Sequence, residues 1–272
     1  MKKLCMALIA CAMMLVGCGN KDSKTSQETF TVGMECNYAP FNWQVNDKTE
    51  TSVSLGGAGN ADGYDVMIAQ KIADKLGKKL VIKKLAWDGL QPALQSGTID
   101  AIIAGMTATP ERENGIDFTT SYYESEMAMI VRKDDACAKF KSIQEFSGKS
   151  IVGQKNTSYD EIIDQIKNVK HMTPKSSYPE MIVALQQKEA DGITAELPVA
   201  KGIIETNPSL TYITFEKGKG FDIDTSVSIG LKEGTKDTQT YKDIQAALDS
   251  ISQDERIQLM EKARQNVPAN MQ

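Results

Sequence analysis

Two kinds of apolar pattern alternate along this chain. Short apolar blocks at residues 30–34, 80–82 and 100–104 have the length and composition of buried strands. Helical spacing fills the gaps between them. Val66, Ala69, Ile72, Ala73 and Leu76 fall on one face of a helix entered through Gly63-Tyr64-Asp65, and Gly77 supplies its stop. Residues 87–95 predict a second helix, with Pro92 in its first turn. The order strand, helix, strand, helix, strand implies an open parallel sheet with helices on its faces. Residues 46–62 interrupt it. Gly, Ser, Thr and Asn are frequent there, which predicts a loop or a distorted hairpin.

The pattern then restarts. Residues 151–153 and 190–194 read as strands, and 159–166 and 178–185 as helices. An internal echo reinforces the restart. Residues 93–104 align without a gap against 184–195, and Ala, Leu, Gln, Asp, Ile and Ala recur at the same places. Gly105 follows one copy and Glu196 the other. Ligands of open α/β sheets bind outside the carboxyl ends of the strands. The echo therefore predicts two facing half-sites, one in each half of the chain. Two last helices are expected at 241–252 and 254–266, with Ile244, Ala247, Leu248, Ile251, Ile257 and Met260 on apolar faces packed into a core.

The 272 residues suffice for one large or two medium domains. Charged residues at 25% and hydrophobic ones at 41% are the balance of a soluble globule. Residues 1–17 stand apart from that globule. Lys2-Lys3 gives a basic start, and residues 4–16 form an apolar run too short for a stable membrane anchor. Leu15-Val16-Gly17-Cys18 closes the run and resembles a bacterial lipobox, which implies cleavage before Cys18 and diacylglycerol on its sulfur. Residues 18–27 then read as a polar, lipid-anchored tether. Without the leader, 29 basic residues face 36 acidic ones, a net charge of −7 that disfavours nucleic acid. Cys5 and Cys11 leave with the leader, so Cys36 and Cys137 remain, read as two thiols without a catalytic role. The single histidine, His171, lies in a polar segment and reads as a surface residue. No metal-ligand cluster or P-loop is present in the sequence.

Candidate chemistry concentrates in Ala104-Gly105-Met106-Thr107-Ala108-Thr109-Pro110-Glu111-Arg112. Gly105 permits close approach to the backbone. Thr107 and Thr109 offer hydroxyls, and Thr109-Pro110 reads as a turn or a helix start. Arg112 brings a planar fork of donors suited to a carboxylate. A plain surface turn with a solvated arginine is the alternative.

Six segments together settle the context: Glu35-Cys36-Asn37-Tyr38-Ala39-Pro40-Phe41, Gly63-Tyr64-Asp65-Val66, residues 87–94, residues 104–112, Ile116-Asp117-Phe118-Thr119 with Tyr122-Tyr123, and Ala190-Asp191. In this order they resemble the bacterial extracytoplasmic solute-binding proteins of family 3, the substrate-binding lipoproteins of polar amino acid ABC transporters. The likeness spans about residues 30–267. It implies a two-lobe α/β fold of the periplasmic-binding-protein type (type II), each lobe an open, mostly parallel sheet flanked by helices. Lobe one would comprise residues 28–123 and 228–268, and lobe two residues 128–223. Hinge crossovers would lie at 124–127 and 224–227.

The resemblance also assigns roles by position. Arg112 would grip the ligand α-carboxylate, with Gly105 and Thr107 on the same ligand backbone. Thr157 would add a carboxylate donor from the second lobe, although Asn156 stands where the family usually has Gly. Glu196 would receive the α-ammonium, and Tyr38 and Trp87 would sandwich the side chain. Glu35 would meet the far end of the ligand, which favours arginine or lysine; glutamine, cystine or another polar amino acid is the alternative. The implied protein is a monomer with no cofactor and no enzymatic activity. Its partners would be a free amino acid and permease subunits, and its place the outer face of a cell membrane, a Gram-positive one by preference. A ligand sensor for a membrane receptor, or a dehydratase-like enzyme on the same fold, are the competing functions.

Overall fold

In a computed structural model, residues 27–268 are described. The leader, Cys18 and the lipid anchor expected on it lie outside these residues.

The first half builds β1 (Thr29–Met34), β2 (Asn37–Tyr38), β3 (Asn42–Val45), β4 (Val53–Ser54), β5 (Asn60–Asp62), α1 (Tyr64–Lys75), β6 (Lys79–Lys84), α2 (Trp87–Gln95), β7 (Ala101–Ile102) and β8 (Ile116–Tyr123). The second builds β9 (Met127–Arg132), β10 (Ser150–Val152), α3 (Ser158–Glu161), β11 (Lys170–His171), α4 (Tyr178–Gln186), β12 (Gly192–Glu196), α5 (Leu197–Thr206) and β13 (Leu210–Ile213). The chain then returns as β14 (Val227–Lys232), α6 (Gln239–Asp249) and α7 (Gln253–Asn266).

Two five-stranded sheets result, in the orders β6-β1-β7-β14-β8 and β11-β10-β12-β9-β13. In each, three strands run parallel and the fourth is antiparallel to its neighbour. The chain crosses between sheets through residues 124–126 and again ahead of β14. The Thr225 hydroxyl donates to the Ser125 carbonyl, so the crossings run side by side. Residues 46–62 form the distorted hairpin, with β2, β3, β5 and β4 in a small antiparallel sheet.

The echo is a structural repeat. Thr98 and Glu189 amides donate to the Ala93 and Ala184 carbonyls, both at 2.9 Å. Gly97 and Lys188 take left-handed φ of 72° and 64°. The Asp100 carboxylate accepts from the Thr31 amide at 2.7 Å, and Asp191 from Ser150 at 2.9 Å. Each aspartate thus ties the start of its own strand to the neighbouring one, β1 in one lobe and β10 in the other.

Several elements differ from the sequence pattern. Pro92 lies in the interior of α2 rather than its first turn, where it leaves the Asp88 carbonyl without an amide four residues on. The helix expected at 159–166 is one α-turn followed by a 3-10 turn at Ile162–Gln165. Ile257 is 54% exposed. The packed stripe of α7 runs instead through Arg256, Met260 and Ala263, because the Arg256 guanidinium turns inward to the Leu248, Ile251 and Ser121 carbonyls. α6 and α7 pack on α1, returning the chain end to the first lobe. Cys36 and Cys137 are free and buried, and burial pushes both thiols up to about 12. His171 is at the surface, paired with Asp160 at 3.0 Å and Asp164 at 2.8 Å.

Candidate functional site

The site assembles where strands of the two sheets end facing each other. From the first lobe, β1 ends and presents Glu35, and β2 carries Tyr38. After β7 the chain turns at Gly105, with φ 62°. A Cβ there would lie 2.8 Å from Cε1 of Tyr38, so glycine lets the Tyr38 ring reach this turn. Trp87 opens α2. Thr109-Pro110 resolves as a turn leading into a 3-10 turn, Arg112–Asn114, which brings Arg112 back over the Trp87 ring at 5.2 Å. Arg112 Nη1 donates to the Thr107 carbonyl at 2.9 Å.

From the second lobe come the turn after β10 and the end of β12. Asn156 adopts a left-handed φ of 58°, which asparagine tolerates in place of glycine. Its carbonyl accepts from Trp87 Nε1 at 3.0 Å and from Arg112 Nη2 at 3.2 Å. Its side-chain Nδ2 donates to Asp88 at 2.7 Å, and Lys155 meets the same carboxylate at 3.2 Å. The lobes are therefore closed on one another. Thr157 is buried, its hydroxyl donating to the Gln154 carbonyl at 2.7 Å. Glu196 ends β12 at 0% exposure. One of its oxygens accepts from the Tyr38 hydroxyl at 2.7 Å and the other from the Tyr159 hydroxyl.

Glu35, Tyr38, Trp87, Gly105, Thr107, Arg112 and Thr157 line one narrow pocket, closed down to about 10 Å3 of free space. Glu196 stands behind it, reached through Tyr38 and Tyr159. Sequence reasoning misses Gln154, Ser158 and Tyr159, which complete the lining. Gln154 Nε2 faces both Glu35 oxygens, at 3.3 and 3.2 Å. Strand register sets it in the second sheet where Glu35 stands in the first, since Val152 pairs with Ile193 as Gly33 pairs with Ile102, but the sequence echo reaches neither residue. The echo, carried six residues toward the N-terminus, pairs Trp87 with Tyr178, whose ring lies 5.1 Å from that of Tyr38.

Electrostatically the pocket is incomplete. Glu35 is 5% exposed, and burial pushes it up to about 7 against the pull of the Gln154 bond. Burial likewise pushes Glu196 up to about 7, opposed by its two tyrosine bonds. Burial lowers the Arg112 guanidinium. Among the described residues none of the three has an ion-pair partner. Among the same residues no cluster of three His, Cys, Asp or Glu could hold a metal, and no helix is long and apolar enough to cross a membrane.

A two-lobe α/β protein with a polar pocket at facing strand ends defines a class of ligand-binding clamps. Within it, residues 30–263 match the family model of bacterial extracellular solute-binding proteins, family 3, and the chain belongs to that family. A probable histidine-binding protein of Campylobacter jejuni is 32% identical over 232 residues, 81% of this chain and 85% of that protein. An ABC transporter glutamine-binding protein of Bacillus subtilis is 28% identical, over 94% of each chain. Among solved structures, an ancestral arginine-binding protein bound to arginine superposes with a TM-score of 0.72 at 27% identity, covering 87% of this chain and 98% of that one.

Proposed function

We propose that this protein captures a free amino acid outside the cytoplasmic membrane and delivers it to the permease of an ABC importer. The carrying observation is the set of charges without ion-pair partners where the lobes meet: half-buried Arg112 from the first lobe, buried Glu35 across the pocket from it, and buried Glu196 from the second lobe, just behind Tyr38 and Tyr159. A zwitterion is strongly hydrated and enters only where both its charges find partners. Arg112 takes the α-carboxylate, with Thr157 as a second donor. Glu196 receives the α-ammonium, since each carboxylate oxygen keeps a lone pair beyond the tyrosine bond it accepts. Because the charges come from different lobes, ligand favours the closed state, with residues 124–127 and 224–227 as the hinge. Glu35 then selects a cationic side chain, arginine or lysine, with Trp87 as its aromatic wall. Gln154 supports a second reading, a neutral polar ligand such as glutamine, because its amide and a protonated Glu35 could bond a side-chain amide. Cys18 carries the lipid that holds the protein at the membrane.

Thermal unfolding against the twenty amino acids tests the proposal, because a ligand specific to the native state raises the midpoint by mass action. A shift with arginine or lysine, lost in Arg112→Ala at a cost of about 2–5 kcal/mol, is expected. A shift with glutamine alone would replace the cationic reading. No shift with any amino acid, in protein freed of carried-over ligand, would overturn amino acid capture.

A further inference from the structure

Behind the first lobe's half of the pocket runs a buried chain of four hydrogen bonds. The Cys36 amide donates to Asn42 Oδ1 at 2.7 Å, and Asn42 Nδ2 donates to Asp65 Oδ2 at 2.8 Å. From the other side, the Gly105 amide donates to the Tyr122 hydroxyl oxygen at 3.0 Å, and that hydroxyl donates to Asp65 Oδ1 at 2.7 Å. The two ends are backbone amides of the turns that carry Glu35 and Gly105. Asn42 and Asp65 are 0% exposed and Tyr122 1%, so water cannot replace a link.

A backbone amide can only donate, and that fixes every direction inward from both ends. Tyr122 accepts from Gly105, so its own proton must go to residue 65. Asn42 accepts from Cys36 through its oxygen, so its amino group must also point at residue 65. The middle residue has to accept twice, which a carboxylate does and an amide cannot.

We infer that Asp65 is a positioning residue of the ligand site: it sets the hydrogen-bond direction of both pocket turns at once. It thereby holds Glu35 at the pocket wall and commits the Gly105 amide to Tyr122. The Gly105 carbonyl is then the backbone group left for a ligand, an acceptor suited to an ammonium. The inference rests on the proposal that the pocket takes an amino acid. Burial pushes Asp65 up to about 7 while the Tyr122 and Asn42 bonds pull it down, so the test is run at about pH 8, where the carboxylate is ionised.

The experiment is calorimetric titration of the full chain with L-arginine, L-lysine, L-histidine and L-glutamine, comparing wild type with three variants of known melting temperature. Asp65→Asn leaves one donor without an acceptor somewhere along the chain, whichever way the two side-chain amides turn. Its dissociation constant is expected to rise roughly tenfold or more, the effect of one unmet buried donor. The exchange Asn42→Asp with Asp65→Asn restores all four directions, since the carboxylate introduced at position 42 would accept both from Cys36 and from the new amide at position 65. It is expected to return affinity to within about threefold of wild type. Leu248→Ala, in the α6 core away from the chain of bonds, should lower the melting temperature and leave affinity unchanged. Wild-type affinity in Asp65→Asn, no recovery in the exchange, or an equal loss in Leu248→Ala would each overturn the inference alone. A wild-type protein that binds none of the four overturns the inference together with the function on which it rests.

Discussion

Burial decides what Glu35 and Glu196 can do. Each sits at about 7 because leaving water disfavours its charged form. Between about 4.5 and 7 the folded, ligand-free protein therefore binds more protons at these groups than the unfolded chain does. Their contribution to stability is present at low pH and declines as pH rises through that window. A cationic ligand reverses the preference by pairing with the ionised forms. Arginine affinity is accordingly expected to strengthen as pH rises toward 7, by up to about tenfold per pH unit for each carboxylate that loses its proton on binding. Titration calorimetry in buffers of different ionisation heat measures both, and Glu35→Gln should remove part of the release. A pH-independent affinity would count against ion pairing at these carboxylates. Gly105 carries a different constraint. Gly105→Ala would force a side chain into a left-handed turn 2.8 Å from the Tyr38 ring, and about 1–2 kcal/mol of stability should be lost in denaturant unfolding.

At the scale of elements, the repeated helix-turn-strand unit lets one lobe calibrate the other. Asp100 and Asp191 make the same bond to the first strand of their sheets. Asp191 also meets Arg132 at 3.1 Å, a guanidinium whose side chain is only 15% exposed. Asp100→Ala is expected to cost about 0.5–1.5 kcal/mol, the worth of one ordinary hydrogen bond. Asp191→Ala should cost about 1.5–3 kcal/mol, because it removes a charged partner as well. Urea unfolding of the two variants checks the order. Equal losses would mean that the Arg132 contact contributes nothing.

For the whole molecule, two sheets joined by two crossings leave one large degree of freedom, the angle between the lobes. The closed arrangement is held across the cleft by Asp88 with Lys155 and Asn156, and the side chains of the Asp88–Lys155 pair are about half exposed. Surface pairs of that kind contribute roughly 0–1 kcal/mol. Ligand, with two buried charges to satisfy, should dominate the balance. Small-angle scattering is expected to show a smaller radius of gyration with saturating ligand than in stripped protein. No change on binding would argue that closure is not driven by ligand.

Much of this molecule is legible in its sequence because the information is local. Val66 to Leu76 needs only helical spacing, and the echo of residues 93–104 in 184–195 gives the repeat that both lobes share. Gly105 and Arg112 stand out because turns and anion pockets require particular residue types. Other features depend on which strands become neighbours. The antiparallel return of β14 between β7 and β8 joins segments about a hundred residues or more apart. Nothing in the local pattern of residues 227–232 specifies it. Gln154 and Tyr159 look like ordinary polar and aromatic residues until the lobes close and set them against Glu35 and Glu196. The inward turn of Arg256 likewise needs carbonyls supplied by α6 and β8. Sequence by itself determined most of the strands and long helices, the repeat and the residue types of the site. Only the tertiary structure decided which charges are buried without a partner, because desolvation depends on what the rest of the chain brings alongside.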